Sequence, residues 1–318
     1  MFTRTMGRSG INVSALGLGC WAIGGPFWRN GEPVGWGNVN DDESTQAILR
    51  AFELGITFFD TAAVYGCGHS ERVLGKALAG LREKVFIATK FGQVFEEDSR
   101  QVTGYDTSPE SIMKECEASL RRLNTEYIDM YQCHVKDVDK DHAVIVWETL
   151  EKLVAAGKIR YYGWSTDDAE RAAIFAQGAH CTAIQQRLNV FEGEMRTLEV
   201  CEQFNLASIN RSPLGMGLLT GKFTVDTPIA ADDVRSRRVS FKENRAHELE
   251  KLSRIRDILT ADGRSLAQGA LGWLWARSQQ TIPIPGFKNI TQVEENIKAA
   301  SFGPLTRSQM LQIKEMLK

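Results

Sequence analysis

Residues 57–66, TFFDTAAVYG, join a strand signal to two ionisable side chains: two phenylalanines run straight into Asp60, and Tyr65 follows. A carboxylate beside two phenylalanines is costly unless a positive group meets it. The stretch therefore reads as a buried strand ending at a site, and the partner of Asp60 has to come from a neighbouring strand.

The same pattern repeats on both sides. ALGLGC (15–20) precedes an amphipathic helix at 41–55, TFFDTA (57–62) precedes 70–80, and VFIATKF (85–91) precedes 108–123. YIDMYQCH (127–134) leads to a helix at 142–158, YYGWST (161–166) to 167–178, and TAIQQRL (182–188) to 192–204. ASINRSP (207–213) leads through a polar segment to a helix at 243–259, and TIPIPG (281–286) to one at 289–300. Ser70 reads as an N-cap; Ser108 followed by Pro109 reads as another. Strands alternating with helices imply a parallel sheet. Eight such units without a domain break predict one (β/α)8 TIM barrel spanning 1–318, a doubly wound sheet being the alternative. Two segments fall outside the repeat: 2–14 reads as an N-terminal β-hairpin on the barrel floor, and 265–280 as an extra helix.

In such a barrel the carboxyl ends of the strands converge on one face. Those ends deliver Asp60 from strand two, Lys90 from strand three and His134 from strand four, and Asp60 is expected to pair with Lys90. Each has an ordinary structural reading: a buried ion pair, a hydrogen-bonded core histidine, a packing tyrosine in a loop. Their coincidence on adjacent strands favours chemistry. A lysine held by an aspartate favours phenolate, which is expected to draw the Tyr65 pKa down and make it a general acid. A neutral imidazole beside it can donate a hydrogen bond to a substrate oxygen. Such a site protonates a carbonyl oxygen while hydride arrives at carbon.

Composition narrows the remaining classes. The 318 residues are 43% hydrophobic, with 38 basic and 40 acidic side chains and no basic block, so neither nucleic acid nor a membrane is expected as a partner. The uncharged run 15–28 is too short to span a bilayer, and the amino terminus has no apolar signal core, which predicts a cytoplasmic protein. Six cysteines lie scattered without a C-x-x-C pair, as reduced thiols do, and Cys20, Cys67 and Cys133 lack metal-ligand spacing. No G-x-S-x-G or H-E-x-x-H occurs, and GLLTGKF misses a P-loop because Phe223 stands where Ser or Thr should hold magnesium.

With MGRSGINVSALGLG, FFDTAAVYGCGHSE, VFIATKFG, SLRRLNTEYIDMYQCH, GKIRYYGWS, SPLGMGLLTGKF and IPGFKNITQVEENI in order, the chain resembles the aldo-keto reductase superfamily nearly end to end. It is similar to the bacterial branch that also resembles potassium-channel β subunits. The resemblance implies a catalytic tetrad of Asp60, Tyr65, Lys90 and His134, and reduction of an aldehyde or ketone or oxidation of the alcohol, a sugar or polyol included. It implies NADP(H) in preference to NAD(H), held by Gly19, Trp21, Asp60, Ser165 and Gln185 near the nicotinamide. Ser212, Leu214, Gly217 and Lys222 follow strand seven and would wrap the pyrophosphate, with Arg211 and Pro213 also at the cofactor. Gly286, Lys288, Gln292, Glu295 and Asn296 would hold the adenosine half, with Arg235, Arg237 and Arg238 free to fold over the same end. Substrate would meet Trp28, Tyr65 and His134.

Two positions depart from the family pattern. Ser165-Thr166 replaces the common Ser-Asn, and Arg211 stands where an aromatic residue often stacks on nicotinamide, so it is read either as a stacking plane, as a substrate ligand or as the partner of a carboxylate. Trp21, Trp28 and Trp36 in the 20–41 loop read as pocket walls or as loop packing. A cofactor-binding regulatory subunit and a Schiff-base aldolase acting through Lys90 are the competing functions; the second would need a desolvated lysine without a counter-ion.

Overall fold

The computed structural model describes the backbone of residues 1–318 and every side chain except those of 239, 240 and 242. Eight strands form one parallel sheet in chain order: β1 (Leu18–Gly19), β2 (Phe58–Asp60), β3 (Phe86–Phe91), β4 (Ile128–Cys133), β5 (Ile159–Ser165), β6 (Cys181–Arg187), β7 (Ala207–Arg211) and β8 (Thr281–Pro283). Its two edges meet. Gly17 N donates to Pro283 O at 3.0 Å, Gly19 N donates to Pro285 O at 3.0 Å, and Gly19 bridges Gly286 in parallel. The sheet closes into the (β/α)8 barrel, with no edge left to pair elsewhere.

The twofold alternation of strand side chains sorts the core. Phe58, Phe86, Ala88, Met130, Ala183, Ile209 and Ile282 point inward and fill the barrel. Phe59, Ile87, Tyr131, Trp164 and Ile184 alternate with them and face the surrounding helices. Two residues up from the inward set, the same parity carries Asp60, Lys90, Gln132, Gln185 and Arg211 to the carboxyl mouth. Apolar side chains thus close the lower barrel, and polar ones are confined to its upper rim.

The eight outer helices are α1 (Asp41–Glu53), α2 (His69–Leu78), α3 (Pro109–Leu123), α4 (Lys140–Ala155), α5 (Ala169–Phe175), α6 (Met195–Gln203), α7 (Val239–Leu259) and α8 (Ile290–Phe302). Asn40, Ser108, Asp139, Asp168, Glu194 and Asn289 cap six of them through side-chain oxygens, a typical cap being worth about 1 kcal/mol. Ser70 is not the cap of α2, contrary to the sequence expectation: the helix starts at His69 after Gly68. Ser70 is buried within the first turn, where its hydroxyl meets Thr61 Oγ1 at 2.8 Å and donates to Cys20 O at 2.8 Å. It ties the β2–α2 turn to β1.

The N-terminal strands Thr3–Thr5 and Asn12–Ser14 pair antiparallel, and Met6 and Val13 join the apolar cluster at the barrel floor. Gly7 is required there: at φ 50° it packs so closely on the backbone at Thr182 and Ala207 that no Cβ fits. The extra helix Leu266–Arg277 opens on a Ser265–Gln268 capping box and buries Trp275, whose Nε1 donates to Ala15 O at 2.8 Å. Sequence patterning missed a hairpin after β3, Gln93–Glu96 with Gln101–Tyr105; it joins Trp28–Arg29 and Glu32–Pro33 in a four-stranded sheet beside the mouth. The loop after β7 also reaches this side, with Val234 N donating to Gly35 O at 2.8 Å and Asp233 bridging Trp36. Among the described residues no helix is long and apolar enough to cross a membrane.

Candidate active site

The partner of Asp60 is Lys90. Their side chains lie 2.6 Å apart and are 2% and 0% exposed, so the pair is fully dry. Lys90 Nζ also donates to Thr61 O at 2.7 Å and lies 3.4 Å from the Tyr65 hydroxyl. The other oxygen of Asp60 accepts from Gln132 Nε2 at 3.0 Å and Gln185 Nε2 at 2.7 Å. Burial works against the ammonium, but the charge and hydrogen bond of Asp60 outweigh it and hold Lys90 above its ordinary pKa. Gln132 was not singled out from sequence, although it sits two residues before His134 and shares its strand parity.

Tyr65 is fixed by its turn. Its N–H donates to Ala62 O at 3.1 Å, its carbonyl accepts from Ser70 N at 3.1 Å, and Ala63 N donates to Lys90 O at 3.2 Å. Gly24 packs against it so tightly that a Cβ would stand 2.8 Å from its carbonyl carbon. The half-buried ring stacks on Trp21 at 5.9 Å and meets His134 edge-on at 5.8 Å. The expected downward shift of the phenol is overturned: burial raises its pKa, and the attraction of Lys90 offsets that only in part. Tyr65 therefore keeps its proton through neutral pH.

Burial first, then Lys90, Arg211, Arg29 and Lys136, push His134 well below its ordinary pKa of 6.5, so its imidazole is neutral. Its Nδ1 is buried without a hydrogen-bond partner among the described residues. An unpartnered lone pair is tolerated better than an unpartnered N–H, which favours the proton on Nε2. A pH effect follows. Below pH 6.5 the unfolded chain binds this proton and the folded chain does not, so stability falls as pH falls through that value. Urea midpoints at about pH 5 and about pH 7.5 should therefore differ more in the wild type than in His134→Gln; equal differences would show that His134 titrates normally.

The tryptophans divide. Trp21 lies over Tyr65 and edge-on to Trp36 at 5.3 Å, and its Nε1 donates to Val34 O at 3.2 Å. Trp28, expected near substrate, is half-buried in the four-stranded sheet, where its N–H donates to Arg100 O at 2.9 Å. Among the described residues no ring contact brings it to Tyr65 or His134.

The other residues ring the mouth. Ser165 and Gln185 are buried at the ends of β5 and β6. Thr166 is buried and turns its hydroxyl to Asp168 N at 3.1 Å, which starts the turn into α5. Arg211 forms an ion pair with Asp167, a residue not anticipated from sequence; Asp167 also accepts from Arg187 N at 2.7 Å. The carboxylate partner is thus the reading of Arg211 that has a contact behind it.

After β7, Ser212, Gly215, Met216 and Gly217 all have positive φ, around Pro213 and Leu214. Turns of this kind can present backbone N–H groups to an anion, although here Gly215 N and Gly217 N donate to Ser212 O and Leu214 O at 3.0 and 2.9 Å. Lys222 is exposed. After β8, Gly286 is exposed at the barrel seam, where a Cβ would just touch Gly19 O at 3.9 Å, and Asn296 Nδ2 donates to its carbonyl at 3.4 Å. Gln292 Oε1 accepts from Lys288 N at 2.8 Å, and Lys288 Nζ donates to Trp36 O at 2.7 Å. Glu295 is turned away to the extra helix, accepting from Gln268 Nε2 at 3.2 Å. Arg235 pairs with Asp233 and Arg237 with Glu32, each at 2.7–2.8 Å, while Arg238 lies over Trp21. Arg238 thus sits over the ring that stacks on Tyr65, while Arg235 lies over Trp36, whose carbonyl holds Lys288.

The six cysteines are all buried, and among the described residues no group of three or more His, Cys, Asp or Glu side chains is placed to hold a metal.

Asp60, Tyr65, Lys90 and His134 thus come together at the mouth of a (β/α)8 barrel. The model of the aldo/keto reductase family matches residues 15–318, and the chain belongs to that family. It is 33% identical over 298 residues to the probable aldo-keto reductase 1 of Glycine max, covering 92% of this chain and 83% of that one. Among solved structures it resembles the glycerol dehydrogenase AKR11B4 from Gluconobacter oxydans, with 33% identity, a TM-score of 0.85 and coverage of 99% and 94% of the two chains. It also resembles an aldo-keto reductase from Klebsiella pneumoniae in complex with NADPH, with 26% identity, a TM-score of 0.74 and coverage of 100% and 96%.

Proposed function

We propose that residues 1–318 form a single-domain, NADP(H)-dependent oxidoreductase that reduces an aldehyde or ketone, or oxidises the corresponding alcohol, with Tyr65 as general acid and base. The observation that carries this reading is the buried Asp60–Lys90 pair with the Tyr65 hydroxyl 3.4 Å from Nζ and His134 edge-on to the phenol. Nicotinamide, when bound, supplies or accepts the hydride. Tyr65 gives its proton to the carbonyl oxygen, and Lys90 stabilises the phenolate left behind. Asp60 keeps Lys90 charged, and Gln132 and Gln185 keep Asp60 in place. Neutral His134 donates to the same substrate oxygen and orients it. The ion-paired Lys90 disfavours the aldolase reading, which needs a neutral amine.

The residues present fit a phosphorylated dinucleotide. The run of positive φ after β7 suits a pyrophosphate, and phosphate sites in such barrels favour the loops after strands seven and eight. Ser165 and Gln185 would hold the carboxamide, and Gln292 and Asn296 would support the adenosine end. The Klebsiella pneumoniae relative in complex with NADPH supports the choice of cofactor. The test is NADPH and NADH oxidation against a panel of aldehydes, ketones and sugars: turnover with NADPH is expected, and its absence across the panel would sink the reading.

Lys288 is the proposed ligand of the 2′-phosphate. Its half-buried ammonium now rests on a backbone carbonyl, and burial disfavours its charge, a cost that an anionic ligand would offset. Lys288→Ala should weaken NADPH binding about tenfold or more, the size of one charge-assisted hydrogen bond, and barely change NADH binding. Equal losses for both cofactors in a fluorescence titration would reassign Lys288 to supporting the loop.

A further inference from the structure

One side of the mouth carries more positive charge than its carboxylates can answer. Lys136 follows His134 by two residues, Arg187 ends β6, Arg211 ends β7, and Arg238 descends from the loop after β7 to lie 5.7 Å from the ring of Trp21. These cations feel one another. Burial, then repulsion from Arg187, Arg211 and Arg237, brings Arg238 down to about 10. Lys136 is lowered by burial and by Arg211, Arg187 and Arg238, against the opposing pull of Asp167.

The ion pairs are Asp167 with Arg211 and Glu192 with Arg187, the second at 3.3 Å; Glu192 also acts on Arg238 and Glu248 on Arg187, which still leaves the cations in excess. Among the described residues Lys136 and Arg238 form no ion pair, and Nε of Arg187 is buried without a hydrogen-bond partner. Arg187, Arg211 and Arg238 are half-buried and Lys136 is exposed; half-buried like charges destabilise a fold unless something of opposite sign completes them.

The surplus lies at the proton-donating end. Arg211 acts on Tyr65, and Arg211 and Lys136 act on His134. Lys288 belongs elsewhere, with Trp36, Asp233 and Arg235. The positive field is also local. Lys136 also borders a groove of about 500 Å³ where Asp137, Asp167, Asp168, Glu170 and Glu194 outnumber Arg171 and Arg196, so the inner rim is the more favourable position for an anion.

We propose that the carbonyl substrate carries an anionic group, a carboxylate or a phosphate ester, held by Arg187, Arg238 and Lys136 while its carbonyl lies against Tyr65 and His134. This rests on the reductase reading above and adds the class of carbonyl compound. No covalent step changes: the anion binds by charge-assisted hydrogen bonds, and the hydride and proton go where they would for any aldehyde.

The test compares matched pairs at saturating NADPH: succinic semialdehyde against butanal, and glyceraldehyde 3-phosphate against glyceraldehyde. The wild type should favour an anionic member by roughly tenfold or more in kcat/KM, and added salt should erode that preference. The two pairs separate carboxylate from phosphate. In Arg238→Gln and in Lys136→Gln the anionic-to-neutral ratio should fall by about fivefold or more, through KM and not kcat. The affinity for NADPH, followed by protein fluorescence, separates substrate from cofactor: a loss there as large as the loss of anion preference would assign the cations to cofactor phosphates and overturn the proposal. Equal kcat/KM within both pairs would overturn it while leaving the reductase reading intact. Failure to reduce any of the four compounds, or any member of the wider aldehyde panel, would remove both.

Discussion

Replacing Tyr65 by phenylalanine is expected to lower kcat for carbonyl reduction by roughly 10²–10⁴, the usual contribution of a positioned general acid. Binding of the cofactor and folding should hardly change. The hydroxyl touches Lys90 Nζ at 3.4 Å, whereas the ring stacks on Trp21 and the Tyr65 backbone packs on Gly24, and those contacts survive the substitution. The pH dependence gives a second readout. Because burial raises the phenol above its ordinary value of 10.0, the acid form persists through neutral pH, and wild-type reduction should fall only on the alkaline side. Oxidation of the alcohol needs the phenolate and should climb over the same range. A variant that keeps half the wild-type kcat, with chemistry shown to limit the rate, would remove Tyr65 from the proton path.

Much of this site could be read from parity and position. A strand side chain alternates with period two, and a barrel gathers the carboxyl ends of its strands, so TFFD, VFIATK and YIDMYQCH were enough to bring Asp60, Lys90 and His134 together. The same rule applied one step further would have found Gln132. What stayed hidden depends on contacts between segments far apart in the chain. Asp167 and Arg211 meet only because β5 and β7 flank β6, and nothing local in either segment names the other. The hairpin at 93–105 was hidden because it pairs with Trp28–Arg29, about seventy residues earlier, in a register that no alternation announces. Ser70 misled for a related reason: a serine before an apolar run looks like a cap, but tertiary hydrogen bonds to Thr61 and Cys20 claimed its hydroxyl. The direction of the Tyr65 shift was missed because a neighbouring charge is visible in sequence and the depth of burial is not.

Asp60→Asn should produce the second large effect, on stability and on catalysis together. The substitution leaves Lys90 with a side chain 0% exposed and without its counter-ion. Removing one partner of a buried pair costs about 3–5 kcal/mol, because the remaining charge is stranded away from water. The sign with pH can be fixed. The fold raises the Lys90 pKa above 10.5, so the stabilisation it contributes is fully present below that value and is lost only as pH rises beyond it. The destabilisation is therefore read undiminished at neutral pH, as a lower urea midpoint with an unchanged slope. Catalysis responds through the same lysine. With Asp60 gone, burial becomes the dominant influence on the ammonium and pushes it towards the neutral amine. A neutral Lys90 no longer stabilises phenolate, so the apparent pKa assigned to Tyr65 should rise, and oxidation should suffer more than reduction. Direct loss of the Asp60 charge acts the other way, since that charge itself raises the phenol. The two are separable: if Lys90 stayed charged, the pH profile would move down instead of up. An unshifted profile in a folded variant would show that Asp60 holds the barrel together without tuning the proton donor.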